Sequence, residues 1–284
     1  MRSLVFDIGG TAVKYGITEN GALLWDDAFP TCGGMGADAL MDRVRDVVRE
    51  VRSRDDFRAI GISTRGQVDC DACTILYDPP EYIPGYTGTD LREALSAFAL
   101  PVAADNDVNC MALAEGRDLA LGRAGDVLCL TFGTCIGGAI LRDGRVYHGA
   151  NWSAGEFGMM LRGGTYYEKR ASVTALVEAA QAVDPALADG RAVAAALERP
   201  EIAAVFRDWA AEAAEGLASL IHIFDPAALI LGGGFPEDPR VFEALKAGTL
   251  SLLAPGFTPM ILPARCGNRA GLIGAGLLAE AAAR

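Results

Sequence analysis

Apolar and polar residues at the start of the chain fall into short runs separated by glycine-bearing turns. Leu4-Val5-Phe6 runs into Asp7, Gly9-Gly10-Thr11 forms a turn, and an alternating run from Ala12 to Ile17 leads out, which predicts a β-hairpin. Ala22 to Trp25 predicts a third strand after the Glu19-Asn20-Gly21 turn. Across residues 37–52 the period lengthens: Leu40, Met41, Val44, Val47, Val48 and Val51 recur at helical spacing, with charges on the other face. Residues 59–63 predict a buried strand, Thr89 the N-cap of a helix through Phe98, residues 101–105 another strand, and residues 107–115 a helix.

The order β-β-β-α-β-α-β-α then begins again. Val127 to Phe132 predicts a buried strand that enters the turn Gly133-Thr134-Cys135-Ile136-Gly137-Gly138, and Ala139-Ile140-Leu141 leads out. After a long insertion come a helix over residues 206–221, a strand over residues 228–231 ending in Gly232-Gly233-Gly234, and an Ala-rich helix from Ala270. A structural repeat at about half the chain predicts two similar α/β lobes. Ligands of such folds lie beyond the carboxyl ends of the strands, where all of these glycine turns fall.

Composition narrows the function classes. The 284 residues are 51% hydrophobic with 34 glycines, a well-cored globular composition rich in turns. A net charge of −12 argues against nucleic acid or an anionic membrane as principal partner, since both select basic surfaces. The chain enters a strand at once, without a basic and apolar leader, and no uncharged run reaches the length of a membrane span. Seven cysteines, an odd number in mostly apolar contexts, are expected to be reduced thiols of a cytoplasmic protein. Cys70 and Cys73 form the only close pair, and with just two histidines, His148 and His222, a structural zinc site is not expected.

Two acidic positions carry candidate chemistry. Asp7 stands at a strand end beside a glycine turn whose N–H groups can cradle a phosphate, and Mg²⁺ takes such a carboxylate through its water shell. The same residues also describe an ordinary hairpin. In Asp105-Asn106-Asp107-Val108-Asn109, at a strand-to-helix junction, Asp107 reads either as a helix cap or as a base that accepts a hydroxyl proton during phosphoryl transfer.

With these residues in place, the chain resembles the ROK family (repressors, open reading frames and kinases) of the sugar kinase/Hsp70/actin superfamily. The motifs that carry the resemblance are Asp7-Ile8-Gly9-Gly10-Thr11-x-x-Lys14, Asp105-Asn106-Asp107-x-Asn109 through Ala114-Glu115, Gly133 to Gly138, Asp225-Pro226 with Leu231 to Gly234, and Gly267-Asn268 through Ala275. The resemblance implies two RNase H-like (actin-like ATPase) lobes with a cleft between them. It implies a small lobe of residues 1–115 completed by residues 268–284, and a larger lobe of residues 116–267.

It further implies Mg-ATP as cofactor, with Asp7 near the metal. Gly9, Gly10, Thr11 and Lys14 from the first turn and Gly133, Thr134 and Gly137 from the second would lie near the phosphates, and Gly233 and Gly234 near the adenosine. Asp107 would be the general base, with Asn106, Glu156, Glu168 and the Gly66 loop on the sugar side. A homodimer is implied too, and Tyr166-Tyr167 are candidates for an interface or the sugar pocket.

The chain departs from the family pattern at several positions. Met159 replaces the histidine after Gly155-Glu156-x-Gly158, and residues 161–168 lack the zinc cysteines, so zinc is not expected. Cys135 stands where glycine is usual and Arg65 where proline is frequent. Tyr86-Thr87-Gly88-Thr89 resembles the zinc-lacking, β-glucoside-kinase-like branch. The expected activity is ATP-dependent phosphorylation of a hexose, N-acetylhexosamine or β-glucoside hydroxyl. The alternative is an idle sugar-binding or regulatory member, and no N-terminal helix-turn-helix precedes Asp7 to support a repressor.

Overall fold

The computed structural model describes residues 1–117, 119 and 125–284. These fall into two compact units, one formed by Met1–Arg117, His148–Ala154 and Asn268–Arg284, the other by Asp118–Tyr147 and Gly155–Gly267. Among the described residues no helix is long and apolar enough to cross a membrane.

The first unit contains β1 (Arg2–Ile8), β2 (Ala12–Glu19), β3 (Ala22–Pro30), α1 (Gly36–Arg52), β4 (Ile60–Thr64), β5 (Gln67–Asp69), β6 (Thr74–Tyr77), α2 (Leu91–Ala94), β7 (Val102–Asn106) and α3 (Asp107–Gly116). Its sheet has the order β3-β2-β1-β4-β7, antiparallel through the hairpin strands and parallel from β1 onward. Strand β1 is buried on both faces because its side chains alternate. Leu4, Phe6 and Ile8 join the core under α1, where Val44, Val47, Val48 and Val51 are fully buried, while Val5 packs the opposite way. Asp7 continues the Val5 row, one residue from the end of the strand.

The second unit contains β8 (Val127–Phe132), β9 (Ile136–Arg142), β10 (Arg145–Val146), β11 (Leu161–Arg162), β12 (Thr165–Tyr166), α4 (Glu168–Ala171), α5 (Val173–Gln181), α6 (Gly190–Ala195), α7 (Pro200–Phe224), β13 (Ala228–Gly232), α8 (Pro239–Ser251) and β14 (Met260–Pro263). Its sheet, β10-β9-β8-β13-β14, repeats the first: β8 pairs antiparallel with β9 and parallel with β13, as β1 does with β2 and β4. The predicted repeat is therefore present at the level of strand order.

The last helix, α9 (Ala270–Ala282), belongs to the first unit and packs on β1, β4, β7 and α3. Small residues permit a close approach: a Cβ at Gly61 would overlap the Ala275 carbonyl, and one at Gly274 the Cys110 carbonyl. Leu272 and Ala275 fill the face of the sheet that carries Val5.

Local predictions fail where side chains rather than periodicity decide. The helix expected from Thr89 to Phe98 is a single turn, α2, followed by a 3₁₀ turn, Ser96–Phe98. Its cap is Asp90, whose carboxylate accepts from Glu93 N at 2.8 Å, because the Thr89 carbonyl is already held by Ile75 N. The second glycine turn is shorter than its glycine content suggests. Strand β9 begins at Ile136, so Gly137 and Gly138 lie in the strand, opposite Thr131 and Leu130.

Candidate functional site

Three parallel strands of the first unit end in step, with Asp7 level with Ser63 and Ser63 level with Asp105. The Asp7 carboxylate accepts from Ser63 Oγ at 2.7 Å and pairs with Lys14 Nζ at 3.3 Å. Lys14 also donates to Asn268 O at 3.0 Å. A Cβ at Gly271 would sit 2.5 Å from Asp7 Oδ1, so α9 reaches the carboxylate only with glycine there. Both Asp7 oxygens already hold partners. With Ser63 and Lys14 on its two oxygens, Asp7 would hold an Mg²⁺ ion through the ion's water shell.

The first glycine turn divides its work. Gly9 N donates to Ala12 O and Gly9 O accepts from Thr31 Oγ1 at 2.7 Å, so both backbone polar groups of Gly9 are engaged in closing the hairpin. Gly10 and Thr11 are exposed.

At the β7–α3 junction the helix cap is Asn106, not Asp107. Asn106 Oδ1 accepts from Val108 N at 2.9 Å and from Asn109 N, while its Nδ2 donates to Gly66 O at 3.0 Å. This places Gly66 as a holder of Asn106, and Gly66 has the positive φ of 85° that its turn requires. With the cap filled, Asp107 is the first residue of α3, and its carboxylate accepts from Val108 N at 2.9 Å and from its own backbone N–H. Crowding by protein, then repulsion from Asp7, raise its carboxyl to about 6, opposed by the Val108 N–H and by Arg65. A cation at Asp7 would relieve that repulsion.

Arg65 is the component that sequence reasoning noted only as a departure. Its Nε donates to the buried Asp78 at 2.6 Å, its guanidinium lies 3.7 Å from the Tyr82 ring centroid, and Nη1 is 3.0 Å from where a Gly10 Cβ would be. The first unit thus sets Lys14 and Arg65 around two carboxylates and an open glycine turn. The absent proline was the available signal, but Asp78 and Tyr82 had none.

In the second unit, β8 and β13 are neighbours with Thr131 level with Gly232, so their glycine turns emerge side by side. Gly233 takes φ 92°, and a Cβ on it would overlap the Phe132 carbonyl. Gly133, Thr134 and Gly234, together with Phe132 and Phe235, line a cavity of about 920 Å³ that extends along α5 and α6. Two bonds tie the turn to the start of α5: Val173 N donates to Gly133 O at 2.9 Å and Thr174 Oγ1 to Thr134 O at 3.0 Å. Ser172 caps that helix, and its carbonyl takes the Trp209 indole N–H at 2.9 Å. Trp209 packs edge-on against Phe132 and Phe235 beneath the cavity.

Glu156 and Glu168 meet within this unit. Partial burial, then the charge of Glu168, raise the Glu156 carboxyl above its usual range. Gly158 leaves room for Glu168, whose Oε2 lies 3.1 Å from where a Cβ would be. Met159, in the family's histidine position, is exposed. The expectation of two exposed aromatics at Tyr166-Tyr167 holds only for Tyr166. Tyr167 is fully buried, its hydroxyl bonded to Ala213 O at 2.6 Å, so it cannot serve an interface.

The chain belongs to the ROK family. The family profile matches residues 4–282. The chain is 32% identical over 303 residues to a β-glucoside kinase of Listeria monocytogenes, covering 97% of this chain and 96% of that one. Relatives at about 30% identity also include a glucokinase and an N-acetyl-D-glucosamine kinase. Among solved structures, the ROK hexokinase from Thermus thermophilus superposes with a TM-score of 0.85 at 30% identity, over 99% of this chain and 98% of that one. The ROK family glucokinase from Streptomyces griseus, in complex with glucose and AMPPNP, gives 0.83 at 28%, over 99% and 100%. The α/β, actin-like ATPase fold expected from the motifs is the fold of the ROK chain.

Proposed function

We propose that this ROK protein phosphorylates a sugar hydroxyl with Mg-ATP. The observation that carries the reading is Asp107: relieved of capping by Asn106, first in α3, with its carboxyl poised near 6 by crowding and by Asp7. A base of that strength is ionised at neutral pH and still accepts a hydroxyl proton as the oxygen bonds to phosphorus. Phosphoryl transfer otherwise asks for positioning and charge neutralisation. Lys14 and Arg65 supply positive charge beside Asp7 and Gly10, while Mg²⁺ at Asp7, when bound, neutralises phosphate charge.

Gly10 and Thr11 in the first unit and Gly133 and Thr134 in the second are assigned to the phosphates, and the cavity lined by Gly234 to the nucleoside. Its volume lies within the ordinary range of small-ligand sites. Glu156 and Glu168 are assigned to sugar hydroxyls, which as donors offset the repulsion between the two carboxylates. Asn106 spends its amide on the cap and on Gly66, so its role is to position Asp107. The β-glucoside kinase, glucokinase and N-acetyl-D-glucosamine kinase names of the relatives define the sugars to try. A coupled ADP-release screen over hexoses, N-acetylhexosamines and β-glucosides tests the proposal. It predicts saturable, Mg²⁺-dependent stimulation by at least one class, and no stimulation by any of them contradicts it.

A further inference from the structure

Outside the residues assigned to catalysis, three metal-ligating side chains of the first unit converge: Cys70, Asp105 and His148. His148 Nε2 lies 2.8 Å from Asp105 Oδ2 and 3.3 Å from Cys70 Sγ, and all three donor atoms lie within 4.8 Å of one another. We infer that these three residues form a zinc site.

A single ring nitrogen faces both the thiol and the carboxylate. In a hydrogen-bonded catalytic triad the two partners would take opposite nitrogens of the imidazole, so this arrangement is not a nucleophile relay. One shared point that accepts a nitrogen, a sulfur and an oxygen lone pair is instead a metal position. Tetrahedral zinc, with bonds near 2.0 Å to nitrogen and oxygen and 2.3 Å to sulfur, holds its donors about 3.3–3.6 Å apart. The observed N···S edge of 3.3 Å already has that size, and the N···O edge of 2.8 Å has to open by about half an ångström. The mixed S, N, O set suits a borderline ion such as Zn²⁺ rather than Mg²⁺.

The surroundings support ligation. Asp105 Oδ1 is held by Asn109 Nδ2 at 2.8 Å and by Asn106 N at 2.7 Å, which orients Oδ2 toward the shared point, as outer hydrogen bonds do at metal centres. Asp105 is buried, whereas the side chain of His148 is 23% exposed, which gives an ion an entry path from solvent. Cys73 is not part of the set: its thiol turns to Val102 O at 3.4 Å and to Arg92. The Cys-x-x-Cys pair is therefore not a chelating pair, and the real donors are 78 residues apart in sequence.

Zinc here would join three segments of one unit: the loop after β5, the end of β7 that carries Asn106 and Asp107, and residues 148–154. Gln67 already links the first and third by donating to Ser153 Oγ at 2.6 Å and to Asn151 O. Binding replaces the Cys70 S–H bond with S–Zn, and the proton leaves to buffer.

The test is titration of the chelator-stripped full chain with Zn²⁺ alone, followed calorimetrically, with Co²⁺ as a spectroscopic probe. We expect one equivalent per chain and a thiolate-to-cobalt charge-transfer band. Cys70→Ser and His148→Gln should weaken binding at least tenfold, while Cys73→Ser retains it. Absence of saturable zinc binding, or a Cys70→Ser variant that binds as tightly as the parent, overturns the assignment. Should the variants misfold, the cobalt spectrum of the unmodified chain decides: a spectrum without the thiolate band is equally fatal.

Discussion

Asp107 illustrates how a local pattern yields two readings until side chains are placed. An aspartate at a strand-to-helix junction is ordinarily a cap, and the cap exists, but Asn106 fills it. The substitution of roles leaves Asp107 with only local backbone N–H partners among the described residues and Asp7 as a repulsive neighbour. Its protonation sets a pH dependence. In its proposed role the carboxyl must be ionised, so kcat/KM should rise with pH up to an apparent pKa near 6 and level off above it. Arg65 stabilises the ionised form, so Arg65→Gln should move this acidic limb to higher pH, whereas Asp7→Asn should move it lower. Rate profiles over pH 5–8 for the two variants check both signs. A limb that stays in place in both contradicts the electrostatic account.

At the scale of elements, α9 and α5 carry the most sequence-encoded constraint. Gly274 lets α9 approach α3 so closely that a methyl group would overlap the Cys110 carbonyl. Gly274→Ala is expected to destabilise the fold by about 1–3 kcal/mol, as overpacking does, read as a lower urea midpoint. Helix α5 is capped by Ser172, and its first N–H, that of Val173, holds the Gly133 carbonyl. Ser172→Ala should cost about 1 kcal/mol of stability. If the second glycine turn serves ATP, the same change should raise KM for ATP more than KM for sugar. An equal rise in both would mean that α5 acts only as general scaffold.

For the whole molecule, the period of the hydrophobic pattern made the repeat legible: each half opens with an antiparallel hairpin and continues into parallel strands, with a glycine turn behind each leading strand. Helix α1 and the strand cores followed from periodicity alone, since burial imposes it. Contacts between residues distant in sequence were illegible. Cys70 and His148 meet only because β5 and the segment from His148 belong to one unit, and Tyr167 is buried only because Gly216 on α7 leaves space for its ring. Helices α5 and α6, which border the cavity, lay in stretches too rich in alanine for the polar face to stand out. The motif residues of the site were legible as types. Their division of labour, with Gly9 and Gly233 shaping turns and Asn106 capping, depended on hydrogen bonds and backbone angles.

In the proposed function Asp107 performs the proton chemistry of sugar phosphorylation. That role is tested most directly by sugar-dependent ADP formation in Asp107→Asn, side by side with the unmodified protein, together with sugar binding by calorimetry. The account predicts that turnover falls by about 10²–10⁴-fold while the Kd for sugar changes little. An Asp107→Asn protein that turns over at the parental rate contradicts it.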